Sequence, residues 1–210
     1  MLNLPRAGTY CNFVKLSIGL ALLLTALSQI GCAPTPSKGS DFAKLSEVDC
    51  KELRALLSDP TFTTVGEINS AWTFRQHAGD LSFSVQGVNG KLEFSRTGKE
   101  PWGVLSQVIS DSRLRGGEIR FSADLRGDIA EEVDHAFGAK AGLWLSVGAR
   151  SGVNMADHIP NIGQWGWEEV EVQAEVPEIY DFIEVGFLYQ GGEGALSARA
   201  PKLELAECSP

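Results

Sequence analysis

Beyond position 61 apolar and polar residues alternate along most of the chain, and a period of two marks strands with one buried face. Leu81, Phe83 and Val85 alternate with Ser82, Ser84 and Gln86, and Leu92 and Phe94 resume the pattern after Asn89-Gly90. Both positions of that dipeptide tolerate positive φ, so it predicts a tight hairpin. Ile119, Phe121, Ala123 and Leu125 alternate with Arg120, Ser122, Asp124 and Arg126 in the cleanest strand of the chain. Glu169, Glu171, Gln173 and Glu175 alternate with Val170, Val172 and Ala174, which gives one strand face to solvent. The run from Ala141 to Val147 is apolar on both faces, as a covered central strand requires. Ile183, Val185, Phe187 and Tyr189 make another strand before Gly191-Gly192, and Leu196 to Leu205 closes the set. About eight strands without a solenoid repeat predict an all-β fold, a two-sheet jelly-roll sandwich over residues 61–210.

Helical periodicity is confined to residues 41–60. Ser46 is the expected N-cap, Asp49 its weak capping-box partner and Asp59-Pro60 the stop, with Cys50, Leu53 and Leu57 on the inner stripe. The first 31 residues have a different character. Arg6 and Lys15 precede an apolar run from Leu16 to Ile30, the order of an export signal and too short for a comfortable permanent span. The segment Ala26-Leu27-Ser28-Gln29-Ile30-Gly31-Cys32 resembles the lipobox of bacterial lipoproteins, although Gln29 stands where that pattern prefers Leu. The resemblance implies that Cys32 is acylated and becomes the mature N-terminus. The alternative is ordinary cleavage near Gly31 that leaves Cys32 unmodified. Residues 32–40 are rich in Pro, Ser and Gly and are expected to act as a flexible linker between the lipid and the folded body.

Charge narrows the partners. The chain carries a formal charge of −9, and residues 1–31 hold two basic residues and no acidic one, so the mature 179 residues carry −11. An acidic body disfavours nucleic acid and anionic lipid, so contact with a membrane is expected through the N-terminal lipid alone. Of four cysteines, Cys11 falls in the signal and Cys32 is the acylation candidate. Cys50 and Cys208 remain, and in an oxidising compartment they are expected to form a disulfide, the alternative being two buried thiols.

The string Arg115-Gly116-Gly117-Glu118-Ile119-Arg120-Phe121-Ser122-Ala123-Asp124-Leu125-Arg126, then Ala141-Gly142-Leu143-Trp144-Leu145, Trp167 with Val170 and Val172, Val176-Pro177 and Gly186 resembles a bacterial jelly-roll family. That family is the galactose-binding-like, carbohydrate-binding-module-like domain. With Trp102-Gly103 and Ser106-Gln107 upstream, the resemblance spans roughly residues 70–205. It implies the fold and a glycan or another envelope component as ligand. The chain departs from the family after Gly194, where Ala195-Leu196 replaces the usual aromatic.

Candidate chemistry rests on the aromatics. Sugar rings stack on exposed aromatic faces while polar neighbours bond their hydroxyls. Trp144 shares a strand face with Ser146, opposite Leu143 and Leu145. If one sheet is concave, Trp144, Arg126 and Tyr189 are expected to line it as ligand-binding residues. Gln190 beside Tyr189, and Trp165 in the loop 160–166, are further candidates, Trp165 also reading as a loop anchor. Trp167, Phe121 and Phe187 are assigned to the core, and Trp144 can be either platform or core. The histidines His77, His135 and His158 have no metal-ligand spacing, so no metal site is expected from them. The acidic stretch Asp128, Glu131, Glu132 and Asp134 is compatible with a structural calcium, though a solvated loop explains it as well. No nucleophile elbow occurs. The sequence therefore reads as an exported, lipid-anchored, non-catalytic binding module of the cell envelope, facing the periplasm from the outer membrane in a Gram-negative cell. Two alternatives are a structural lipoprotein acting through a protein interface and a small hydrolase.

Overall fold

The computed structural model describes residue 53 and residues 56–130, 136–149, 152–158 and 162–208, with backbone alone over 152–158. Ten strands follow one another: β1 (Thr73–Gln76), β2 (Phe83–Val88), β3 (Lys91–Arg96), β4 (Gly103–Ile109), β5 (Glu118–Ile129), β6 (Lys140–Ala149), β7 (Gly152–His158), β8 (Gly163–Glu175), β9 (Phe182–Gln190) and β10 (Gly194–Leu205). They form two antiparallel five-stranded sheets, ordered β1-β4-β9-β6-β7 (sheet I) and β2-β3-β10-β5-β8 (sheet II). The fold is an all-β jelly-roll sandwich, as the alternation predicts. The expected helix over 41–60 lies largely outside the described residues; Leu53 is helical and buried, and residues 56–60 are bends and turns. Among the described residues no helix is long and apolar enough to cross a membrane. The signal, Cys32 and the linker are outside them too.

Alternation fixes which side chains meet between the sheets. Ile119, Phe121, Ala123, Leu125 and Ile129 of β5 face Leu143, Leu145 and Val147 of β6 and Ile183, Val185, Phe187 and Tyr189 of β9 in one core. Edge-to-face rings join the two layers, with Phe121 and Phe187 centroids 5.9 Å apart and Phe83 and Tyr189 5.7 Å apart. The β2–β3 hairpin turns on Asn89 and Gly90 at φ of 51° and 74°, the left-handed pair that a two-residue turn of this hand needs.

The segment leading into β1 is fixed by one carboxylate. Asp59 accepts the backbone N–H groups of Thr63 (2.8 Å) and Thr64 (2.7 Å) and both threonine hydroxyls (2.7 and 2.8 Å). The knot drives Phe62 into the core, where it meets Trp72 and Phe187, and the Trp72 indole donates to the Asp59 carbonyl at 2.9 Å. Burial alone would raise the Asp59 carboxyl, but the four donors outweigh it and hold it at about 2. Asp59→Ala is expected to cost about 1–2 kcal/mol at neutral pH, the range for losing a capping carboxylate. Because the folded pKa is depressed, this contribution is present above the unfolded value of about 3.9 and fades as pH falls toward 2. Urea midpoints of wild type and variant should therefore converge between pH 5 and pH 2; a gap that stays constant would contradict this role.

Candidate functional site

The residues expected to share one groove fall on three different surfaces. Trp144 stands on the outer face of sheet I, half-buried, opposite in orientation to Leu143 and Leu145. Tyr189 points the other way, into the core with 0 % exposure, and its hydroxyl donates to the Gly192 carbonyl at 3.0 Å. Burial pushes its phenol well above the usual range, so it stays neutral. Arg126 lies on the outer face of sheet II, on the far side of the sandwich from Trp144. The expected convergence of Trp144, Arg126 and Tyr189 is thus replaced by two outward faces and a core residue. Gln190 is taken up elsewhere, its amide nitrogen donating to the carbonyls of Phe137 (2.7 Å) and Gly138 (3.2 Å). Trp165, expected in a loop, belongs to β8 and lies against Gly127, where any Cβ would overlap its ring.

Two clusters take the place of that groove. The first surrounds Trp144. Glu184 of β9 is paired with Ser146 of β6 in register and shares the outer face of sheet I, yet it is only 7 % exposed. Arg75 of β1 reaches across β4 and grips it with both guanidinium nitrogens, Nη2 lying 2.9 Å from Oε2 and Nη1 bonding Oε1. Ser106 of β4 donates its hydroxyl to the same carboxylate at 2.7 Å. Burial alone would raise the Glu184 carboxyl; Arg75, Ser106 and the nearby Trp144 indole outweigh it and hold it below the usual carboxylate range. The Trp144 Nε1–H is itself buried and reaches no acceptor within hydrogen-bonding geometry, so its pull on Glu184 is that of a nearby dipole. Trp144 pairs with Gly186, which leaves the strand beside the indole bare. The face therefore presents an indole, a fixed carboxylate, a guanidinium and a hydroxyl on four adjacent positions of three strands and an edge strand.

The second cluster is on sheet II. A bulge in β8 sets Gly166 and Trp167 together opposite Arg126, between the pairs Leu125↔Glu168 and Gly127↔Trp165. Trp167, expected in the core, instead lies half-buried on the outer face with three cations around its ring. The distances to the centroid are 4.3 Å for Arg199, 5.2 Å for Arg126 and 5.8 Å for Lys91. Beside it lies a concavity of about 360 Å³ lined by Glu93, Arg126, Asp128, Gln164, Trp165 and Ser197.

No family model matches the chain, and no curated protein matches it. Solved structures do. The enzymatically active domain of tailspike protein 4 of bacteriophage CBA120 superposes with a TM-score of 0.50 and 13% identity, over 65% of this chain and 19% of that one. The chain thus spans about a fifth of the tailspike domain it matches. A CBM4 carbohydrate-binding module (TM-score 0.49, 12% identity) is covered to 99% by 71% of this chain. The module TmCBM61 in complex with β-1,4-galactotriose (TM-score 0.47, 16% identity) is covered to 97%, again by 71% of this chain. At such identities the likeness is one of fold.

Sequence reasoning missed Arg75, Ser106 and Glu184. One signal was present, a lone acid inside the apolar run Ile183-Glu184-Val185-Gly186-Phe187. Its partner Arg75 lies 109 residues away, beyond any local pattern. Among the described residues no group of three His, Cys, Asp or Glu side chains could hold a metal, and most of the acidic stretch weighed for calcium lies outside them.

Proposed function

We propose that this chain is a non-catalytic glycan-binding module whose ligand lies on the outer face of sheet I. The observation that carries the reading is Trp144 beside Glu184, an aromatic ring next to a carboxylate that Arg75 and Ser106 fix in place. Carbohydrate recognition asks for that combination, since a ring supplies stacking area and a preorganised ion bonds hydroxyls without the entropy loss of a mobile side chain. A hydrolytic role draws no support from Glu184, because a carboxyl held ionised by a guanidinium is a poor general acid. Retention on immobilised oligosaccharides, lost in Trp144→Ala, tests the reading.

The same proposal includes export and lipid anchoring in the cell envelope, resting on the order of charge, apolar run and Gly31-Cys32 in the sequence. Two or three acyl chains, at about 0.8 kcal/mol per buried methylene, give a stable anchor. It also includes a Cys50–Cys208 bond. Cys208 is buried at 4 % exposure, beside the end of the last strand, and Cys50 lies outside the described residues. Mass spectrometry of the mature protein tests both parts. Acyl mass on an N-terminal Cys32 and a non-reduced peptide joining Cys50 to Cys208 are expected; another N-terminus without acyl mass, or another pairing, would refute the respective part.

A further inference from the structure

We infer that the chain associates with a second copy of itself through the free edge of sheet II, where β2 joins β2 of the other copy about a two-fold axis. This interface is independent of the glycan reading and uses none of its residues. β2 is the outermost strand of sheet II and, among the described residues, pairs with β3 alone. Thr97 donates its N–H to the Ser82 carbonyl at 2.8 Å, which makes Ser82 and Thr97 a bonded pair at the end of that ladder. Bonded and non-bonded pairs alternate in an antiparallel ladder, so Ser84, Gln86 and Val88 direct their backbone groups to β3 while Phe83, Val85 and Gly87 turn theirs outward. A row of outward donors and acceptors is a template for another strand.

Proteins block such edges with charge, proline or short length. The other three edge strands follow that rule. β8 carries Glu168, Glu169, Glu171 and Glu175, β7 ends in Asp157-His158, and β1 is four residues long and contains Arg75. From Leu81 to Gly90, by contrast, there is no charged residue and no proline. The flank of β2 is apolar as well. Where β1 and β2 part, a cavity of about 360 Å³ opens between the sheets, lined by Val65, Phe74, Phe83, Val85 and Leu105. Ile68 and Leu81 border it, Ile68 fully exposed and Leu81 74% exposed. Large apolar side chains gathered beside an open strand edge mark an interface.

Charge and symmetry identify the occupant as a second copy. The chain has a formal charge of −9, so two copies repel where their charged surfaces approach, and an uncharged edge is where like-charged bodies meet with least repulsion. A two-fold axis perpendicular to sheet II pairs Val85 with Val85 of the second copy and Phe83 with Gly87 of the second copy. The pairing is antiparallel, uses the three outward-facing residues and joins the two five-stranded sheets edge to edge. That axis keeps both inner sheet faces on the same side, so the two cavity mouths face each other. Ile68 and Leu81 of each copy then cover the mouth of the other. One axis thus satisfies the strand edge and the exposed apolar side chains together.

The test is sedimentation equilibrium of the full chain in density-matched detergent at low and high sodium chloride. Wild type should approach twice the monomer mass as its concentration rises, and added salt should tighten the association by screening the repulsion between the two bodies. Ile68→Glu combined with Leu81→Glu changes only exposed side chains and should weaken association at least about tenfold. Register has its own readout. Ser84 and Gln86 of the second copy stand opposite across the axis in a non-bonded pair, with Cα atoms about 4.5 Å apart, so a mixture of Ser84→Cys and Gln86→Cys chains should form a mixed disulfide on oxidation. Trp144→Ala should associate as wild type does, which separates this interface from the glycan site. The inference is overturned if wild type stays monomeric at every concentration, if the doubly charged variant associates as wild type does, or if salt weakens the association. A monomer whose mouth takes up a foreign apolar peptide instead would overturn it as well.

Discussion

Tyr189→Ala is expected to lower the unfolding free energy by about 3–5 kcal/mol, the range for emptying a large aromatic site in a close-packed core. The ring has no exposed surface and meets Phe83 and Phe94 with centroids 5.7 and 5.6 Å away, so nothing nearby can collapse into the space without breaking the contact between the sheets. Tyr189→Phe separates the ring from its hydroxyl. It keeps the packing and leaves only the Gly192 carbonyl unpaired, at about 1 kcal/mol. Urea unfolding with an unchanged slope measures both. If Tyr189→Ala were as stable as wild type and instead lost glycan binding, Tyr189 would belong to the ligand face after all.

The second large effect is expected from Arg75→Met. This change leaves Glu184 buried with Ser106 and the nearby indole dipole as its only compensation. Removing one partner of a fully buried pair costs about 3–5 kcal/mol. Arg75 is 45% exposed, so solvent takes up part of the loss and about 1–3 kcal/mol is expected at neutral pH. The pH profile is the sharper signature. In the wild type the depressed Glu184 pKa contributes stability above the unfolded value of about 4.3, and that contribution fades as pH falls. In the variant burial dominates and the folded pKa rises above 4.3, so the penalty is absent in acid and grows as pH rises through 4.3. Midpoints of the two proteins should converge at acid pH. A gap independent of pH would mean that Arg75 acts through packing alone.

Local pattern carried the fold a long way. The alternation around Phe121, the Asn89-Gly90 turn and the doubly apolar run at Leu143 each predict a strand or turn that the structure contains. Burial of one face is a nearest-neighbour property, written every second residue. The same rule already spoke against Tyr189 as a ligand residue, since it shares parity with Ile183, Val185 and Phe187. What alternation does not encode is which strands are neighbours. Arg126 and Trp144 each point outward, as read, but β5 and β6 lie in different sheets, so they face opposite directions. The Arg75–Glu184 pair depends on β1 lying next to β4 and β4 next to β9, an order set by the whole sandwich. Trp167 already shares the outward parity of Glu169 and Glu171, so its assignment to the core ran against the alternation; the bulge instead shifts parity at Trp165, which pairs with Gly127 and packs against the core.

Glycan retention by the detergent-solubilised full chain, compared with Trp144→Ala on the same oligosaccharide array, tests the central claim most directly. Wild type is expected to bind at least one neutral oligosaccharide, and Trp144→Ala to lose it while keeping a cooperative thermal transition. An array on which wild type binds nothing, or on which Trp144→Ala binds as wild type does, would contradict it.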